Sequence, residues 1–283
     1  MKIQTIDTGF LKLDGGAMFG IVPKRLWQKL NPADENNLCT WAMRCLLVET
    51  GDRVILFDTG IGDKQDEKFR SHFEPHGEAS LINSLKEKAY SPSDITDVFL
   101  THLHFDHVGG AVSRSANGDL LPTFPNARYW TNQVHYDWAL KPNSREKASF
   151  LKENFVPLMD HGVLNFIPVS EGIQSWLPGI DIRFLYGHTE AMMMPIFQVG
   201  NKKVVYAVDL LPSSFHVGMP YVMSYDLRPL LTLEEKAQLY QDLLEQDHVL
   251  LFEHDPISEA GVLVKNERGR VVLGDRGSLQ AFL

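Results

Sequence analysis

Five apolar runs in this chain each stop on a carboxylate or an imidazole, and no other feature of the sequence constrains the fold as tightly. Val54-Ile55-Leu56-Phe57 leads to Asp58, Val98-Phe99-Leu100-Thr101 to His102, and Ile182 through Gly187 to His188. Val204 through Val208 leads to Asp209, and Val249 through Glu253 to His254. Short runs rich in β-branched and aromatic residues read as buried strands. In open α/β sheets the loops beyond the carboxyl ends of the strands converge on ligands. Ligand-type side chains at all five ends therefore predict an α/β fold whose strand ends gather around metal.

The densest segment is His102-Leu103-His104-Phe105-Asp106-His107, followed by Gly109-Gly110. Two imidazoles two residues apart on a chain leaving a strand point the same way and grip one ion. Asp106 and His107, reached after a turn, address a second ion beside it. The spacing differs from HExxH, which relies on a helix to align its histidines. The glycine pair lets the backbone turn closely beneath the site. His135, His161 and His248 stand alone and are assigned no ligand role.

The order His102-x-His104-x-Asp106-His107, then His188, Asp209 and His254, resembles the metallo-β-lactamase-fold hydrolase superfamily. The resemblance implies a four-layer αββα sandwich, with residues 1–283 forming a single domain of two similar halves around one core. It implies that His102, His104 and His188 bind one metal, that Asp106, His107 and His254 bind another, and that Asp209 bridges them. Asp58 would orient ligands from behind. Nitrogen and oxygen donors without a thiolate suit two divalent ions, Zn2+ first, with Mn2+, Fe2+ or Co2+ as alternatives. Gathering Asp58, Asp106 and Asp209 without cations would be repulsive, so the ions are expected to stabilise the fold as well.

Two such ions lower the pKa of a shared water and polarise the carbonyl or phosphoryl oxygen under attack, so a metal-bridging hydroxide replaces a Ser or Cys nucleophile. Asp106 and Asp209 are the expected catalytic carboxylates, with Asp106 passing the proton to the leaving group. Within the superfamily, Gly187-His188-Thr189-Glu190-Ala191-Met192 departs from the Gly-His-Thr-Pro-Gly-His of thioesterase-like relatives. His104 stands where flavodiiron-type relatives carry Glu, and Asp209 where some lactamases carry Cys. The segment from Gly15 to Lys24 is similar to one in the lactonase and organophosphate-hydrolase branch. The tyrosine that acyl-homoserine lactonases place after the bridging aspartate is missing from Asp209-Leu210-Leu211-Pro212. Phe19, His216 and Tyr221 are the substrate-pocket candidates, and Met192 to Met194, Met219 and Met223 read as core or as adaptable apolar lining. The expected substrate is a small ester, lactone or phosphotriester. The alternatives are a mononuclear-iron sulfur dioxygenase of the same fold and a non-catalytic metal-stabilised module.

Charge excludes other classes. The 283 residues hold 27 Lys and Arg against 36 Asp and Glu, a net of -9 without a basic run, which argues against nucleic acid or an anionic membrane as partner. Met1 to Leu13 lacks the basic flank and apolar run of a secretion signal, and no apolar stretch is long enough to span a bilayer, so a cytoplasmic location is expected. Cys39 and Cys45 fall on one expected strand, roughly 20 Å apart, and are expected to be reduced. A first hairpin is expected over Ile3 to Leu13 and Met18 to Val22 around Asp14-Gly15-Gly16, and a homodimer through it is left open. A second is expected over Trp41 to Val48 and Val54 to Phe57. Helices are expected over Arg145 to Met159, with Pro157 shortening or bending it, and over Leu233 to Glu245.

Overall fold

Apolar alternation makes Lys2–Asp14 a strand, β1, in the computed structural model, which describes residues 1–245 and 248–283. The hairpin expected after it is replaced by a helix, α1 (Gly15–Phe19). Asp14 Oδ1 accepts the Ala17 N–H at 2.8 Å, and Asn37 Nδ2 donates to Oδ2 at 2.8 Å. An aspartate that satisfies an orphan N–H of a first turn starts a helix as readily as it starts a tight turn. Gly15 is small for packing: a Cβ there would collide with the Trp27 ring of the next helix, α2 (Lys24–Trp27).

The second hairpin forms as expected. In it β2 (Leu38–Thr50) pairs antiparallel with β3 (Arg53–Phe57), Thr50 opposite Arg53, and Gly51 takes a φ of 60° in the two-residue turn. Helices α3 (Glu67–Phe73) and α4 (Leu81–Glu87) lead to β4 (Asp97–Phe99), parallel to β3. A short helix α5 (Phe105–Val108) and a small ribbon of β5 (Val112–Arg114) and β6 (Leu120–Pro122) precede β7 (Arg128–Thr131). After α6 (Gln133–Leu140) the chain reaches α7 (Val156–Asp160) and β8 (Leu164–Phe166). The sheet order is β1-β2-β3-β4-β7-β8.

The long helix expected over Arg145 to Met159 is broken. A 3-10 turn at Lys152–Asn154 stops at Phe155, and α7 starts afresh with Pro157 in its first turn. Proline has no N–H for a preceding helix but fits a helix start, so it divides the pattern where a shortened or bent helix was expected. Phe155 and Leu158 still bury on the core that holds Leu56, Val98, Leu100 and Tyr129.

The remaining strands are β9 (Ile173–Leu177), β10 (Ile180–Leu185), β11 (Met192–Val199), β12 (Lys202–Tyr206), β13 (His248–Leu251), β14 (Ala260–Lys265) and β15 (Val271–Gly277), ordered β15 to β9 across a second sheet. Strands β12 and β13 are parallel, and α8 (Pro229–Glu245) is the crossover between them. It starts before the expected Leu233, because Pro229 suits a first helical position. Met192, Met193 and Met194 are fully buried in β11 and belong to the core. Cys39 and Cys45 both lie on β2, free and buried, and burial raises the Cys39 thiol to about 11. Among the described residues no helix is long and apolar enough to cross a membrane.

The chain divides into two compact units, one of Met1–Gly9, Met43–Glu171 and Ala191–Met193, the other of Phe10–Ala42, Gly172–Glu190 and Met194–Leu283. Because Asp14 caps α1, D14A is expected to lower unfolding free energy by about 1 kcal/mol and D14S to retain most of it. Urea melts of the two variants measure this; equal losses would restore the turn reading.

Candidate metal centre

In the first unit, the site is built where β3 and β4 end. Asp58 follows β3 at a φ of 57°, a left-handed conformation that aspartate tolerates better than most side chains. Its buried carboxylate accepts the Thr101 N–H at 2.8 Å, the Thr101 hydroxyl at 2.6 Å and the His107 Nδ1–H at 3.2 Å. One side chain thus holds the chain entering His102 and aims the His107 ring, as the orienting role expected of Asp58 requires. His102 Nδ1 lies 3.2 Å from the Thr101 hydroxyl, and its Nε2 lies 3.1 Å from Nδ1 of His104. The His102 and His107 rings are 3.9 Å apart between centroids. Asp106, in the first turn of α5, has Oδ2 3.9 Å from His107 Nε2.

Gly109 and Gly110 make the close turn expected of them. A Cβ on Gly109 would collide with the Ile61 carbonyl, and one on Gly110 with that of Thr59. Thr59 donates through its N–H at 2.7 Å and its hydroxyl at 2.9 Å to the His107 carbonyl. The buried Lys64 ammonium donates to the Gly109 carbonyl, and burial lowers it to about 8. The loop after β3 is therefore a cradle for the loop that carries Asp106 and His107.

In the second unit, Asp209 stands between two imidazoles. Its Oδ2 is 3.1 Å from His188 Nε2 and its Oδ1 is 3.1 Å from His254 Nε2. His188 follows β10, where the Glu235 carboxylate on α8 accepts the N–H groups of Tyr186 at 2.6 Å and Gly187 at 3.1 Å. His188 Nδ1 meets Asp226 at 2.8 Å, and His254 Nδ1 donates to the Ala42 carbonyl at 2.7 Å. Burial opposes a charge on His188, but Asp209 and then Asp226 outweigh it and raise the ring to about 10. A buried imidazole between two carboxylates needs positive charge, which a proton or a cation supplies.

Phe19, His216 and Tyr221 are also brought together, within the second unit. Phe19 stacks on His216 at 5.1 Å and on Trp27 at 5.2 Å, with Tyr221 edge-on at 6.1 Å. His216 Nε2–H donates to the Met18 carbonyl at 2.9 Å, so Nδ1 accepts from the Ser213 hydroxyl at 2.7 Å. Burial pushes His216 down to about 3 and keeps it neutral. Phe19 and His216 are fully packed, whereas Tyr221 is half-buried.

Three residues of the site were given no part in it from the sequence: His135, which was named but assigned no ligand role, and Glu146 and Asp226, which were not singled out. His135 Nε2 accepts the Leu103 N–H at 2.8 Å, fixing the peptide between His102 and His104. Glu146 Oε1 lies 3.4 Å from His104 Nε2, and Asp226 backs His188. A lone acid in a loop gives no periodic or motif signal, and only the fold brings it to its imidazole.

All five proposed ligand imidazoles share one construction. One ring nitrogen faces Thr101, Glu146, Asp58, Asp226 or the Ala42 carbonyl. Such partners fix the tautomer of metal-ligating histidines and leave the opposite nitrogen as the donor. In each unit taken by itself, imidazole nitrogens stand beside a carboxylate, Asp106 in the first and Asp209 in the second, and such nitrogen and oxygen donors suit divalent cations of the zinc type.

Residues 44–239 match the family model for the metallo-beta-lactamase superfamily. An N-acyl homoserine lactonase of Bacillus thuringiensis is 25% identical over 239 residues, spanning 80% of this chain and 85% of the relative. The crystal structure of a probable metal-dependent hydrolase from Staphylococcus aureus superposes with a TM-score of 0.86 at 27% identity, covering 98% of this chain and 96% of the other. AidC, a dizinc quorum-quenching lactonase, has the same fold, with a TM-score of 0.77 at 20% identity over 96% of this chain and 93% of its own. A family match that begins within β2, ends within α8 and takes in every proposed ligand except His254 makes this chain a member of the metallo-beta-lactamase superfamily, a metal-dependent hydrolase.

Proposed function

We propose that the chain hydrolyses a small, uncharged lactone or ester at a pair of divalent cations, with Zn2+ the first candidate. His102, His104 and His188 would hold one ion, Asp106, His107 and His254 would hold the other, and Asp209 would serve both. The observation that carries the reading is Asp209, with one oxygen on an imidazole of each set. The lactonase relatives favour a cyclic ester over a phosphotriester. The family match, which draws on both compact units, supports treating residues 1–283 as one domain.

Two bound cations supply Lewis acidity, lowering the pKa of a water towards neutrality and polarising the ester carbonyl. The residues of the chain do the rest. Asp58, Asp226 and the Ala42 carbonyl hold His107, His188 and His254 in place before substrate arrives, so no ordering is needed during reaction. Asp106 takes up the proton released during attack at its carboxylate and returns it to the leaving oxygen. Burial of the surrounding groups lowers the local dielectric and strengthens these interactions. Phe19 and His216 form a rigid apolar wall, and Tyr221 is the hydroxyl among the pocket candidates that remains to meet a substrate carbonyl. A mononuclear dioxygenase would not need His107 and His254 to be held as firmly as His102 and His188.

Purified protein is expected to contain about two transition-metal ions per chain by elemental analysis, and chelation should remove activity and lower the melting temperature. One iron per chain, with oxygen uptake on a persulfide, would overturn the binuclear reading. A panel of lactones, p-nitrophenyl esters and phosphotriesters, with and without chelator, tests the substrate. D106N is expected to lower kcat on the best of these by about 100- to 10,000-fold. Wild-type kcat in D106N would remove Asp106 from the proton path.

A further inference from the structure

His104 is held differently from the other imidazoles. His102, His107, His188 and His254 turn Nδ1 to their supporting partner, whereas His104 turns Nε2 to the Glu146 carboxylate and Nδ1 towards His102. Glu146 is almost fully buried, 3% exposed, and is built into place. Its Oε2 accepts from the Trp138 indole N–H at 2.7 Å and from Asn143 Nδ2 at 3.0 Å, and its Oε1 faces His104 Nε2 at 3.4 Å. Asn143 Oδ1 in turn accepts the Arg145 and Glu146 N–H groups at 2.8 and 3.2 Å. The Glu146 carbonyl accepts from Ser149 at 2.8 Å, the Ser149 carbonyl accepts from Phe105 at 2.9 Å, and the Phe150 ring packs on His104 at 4.8 Å. The loop 143–150 is thus a closed brace around one side chain.

We propose that Glu146 is the positioning residue of the first metal site: its carboxylate fixes His104 as the Nε2–H tautomer, makes Nδ1 the ligand atom, and strengthens that nitrogen as a donor. The inference rests on the metal reading above. A carboxylate facing a ligating imidazole raises ligand basicity, and removing such a partner costs about 10- to 100-fold in metal affinity. A neutral amide at the same place keeps the volume and loses the charge. The brace also explains why a buried carboxylate is tolerated here: the indole, the amide and the imidazole each donate to it.

The test is chelator-competition titration of metal-free protein with Co2+, followed by its visible spectrum and by the exchangeable N–H resonances of the Co2+-loaded protein. Wild type is expected to bind two equivalents. E146Q is expected to bind one equivalent about 10- to 100-fold more weakly, with the other unchanged, and to shift a single imidazole N–H resonance. W138F, which keeps the carboxylate but loosens its aim, is expected to weaken the same equivalent by less, and it carries the test if E146Q does not fold. Unchanged affinities and spectra in folded E146Q, or in W138F where E146Q does not fold, would reduce Glu146 to a structural role. Wild type that binds no Co2+ would instead sink the metal reading and this inference with it. Two equivalents in wild type with an unaffected variant would sink the inference alone.

Discussion

The structure depends on carboxylates buried against imidazoles. Asp58 and Asp226 are almost inaccessible to water, and taking an ionised carboxyl from water costs several kcal/mol unless donors meet it. Asp58 meets two donors from Thr101 and one from His107, while Asp226 faces His188. Each pair settles which ring nitrogen carries hydrogen and so which is left for a metal. The local conformations of the strand ends serve these pairings. The left-handed turn at Asp58, the glycine pair against Ile61 and Thr59, and the Glu235 clamp on Tyr186 and Gly187 all hold an imidazole or the carboxylate behind it.

Much of this was legible because it is local. Asp58, His102, His188, Asp209 and His254 stand just beyond β3, β4, β10, β12 and β13, where the apolar runs placed them. A run of buried β-branched residues marks a strand within a few positions, and the first polar residue after it marks the loop. The second hairpin was legible for the same reason, since Thr50-Gly51-Asp52 has few conformations to choose from. The glycine pair after His107 also behaved as its spacing implied.

What was not legible depends on partners distant in sequence. Asp14-Gly15-Gly16 suits a turn and a helix start equally, and the Trp27 ring, packed where a Gly15 Cβ would fall, decides for the helix. The apolar stripe through Leu151, Phe155 and Leu158 implied one helix, but Pro157 opens a new turn and the stripe is shared between two short pieces. Strands β14 and β15 went unnoticed because their polar and glycine content masks the alternation, and the turn at Asn266 and Gly269 joins them. His135 and Glu146 belong to the support of His102 and His104, yet nothing near them in sequence announces it. For Glu146 a faint signal existed in Asn143, three residues earlier, whose side chain caps the turn.

Val208 shows how closely the core and the site are joined. It is a β-branched residue, fully buried, at a φ of 40°, a region that such side chains avoid and that costs about 1–3 kcal/mol. The strand β12 ends at Tyr206, and the 3-10 turn Val208–Leu210 must turn the carboxylate of Asp209 towards His188 and His254 at once. Glycine would adopt the same backbone without strain, but it would leave the turn unpacked and the carboxylate free to swing. A buried isopropyl group anchors the turn to the core instead. The strain at Val208 is therefore offset by packing, and the packing keeps Asp209 between its two imidazoles.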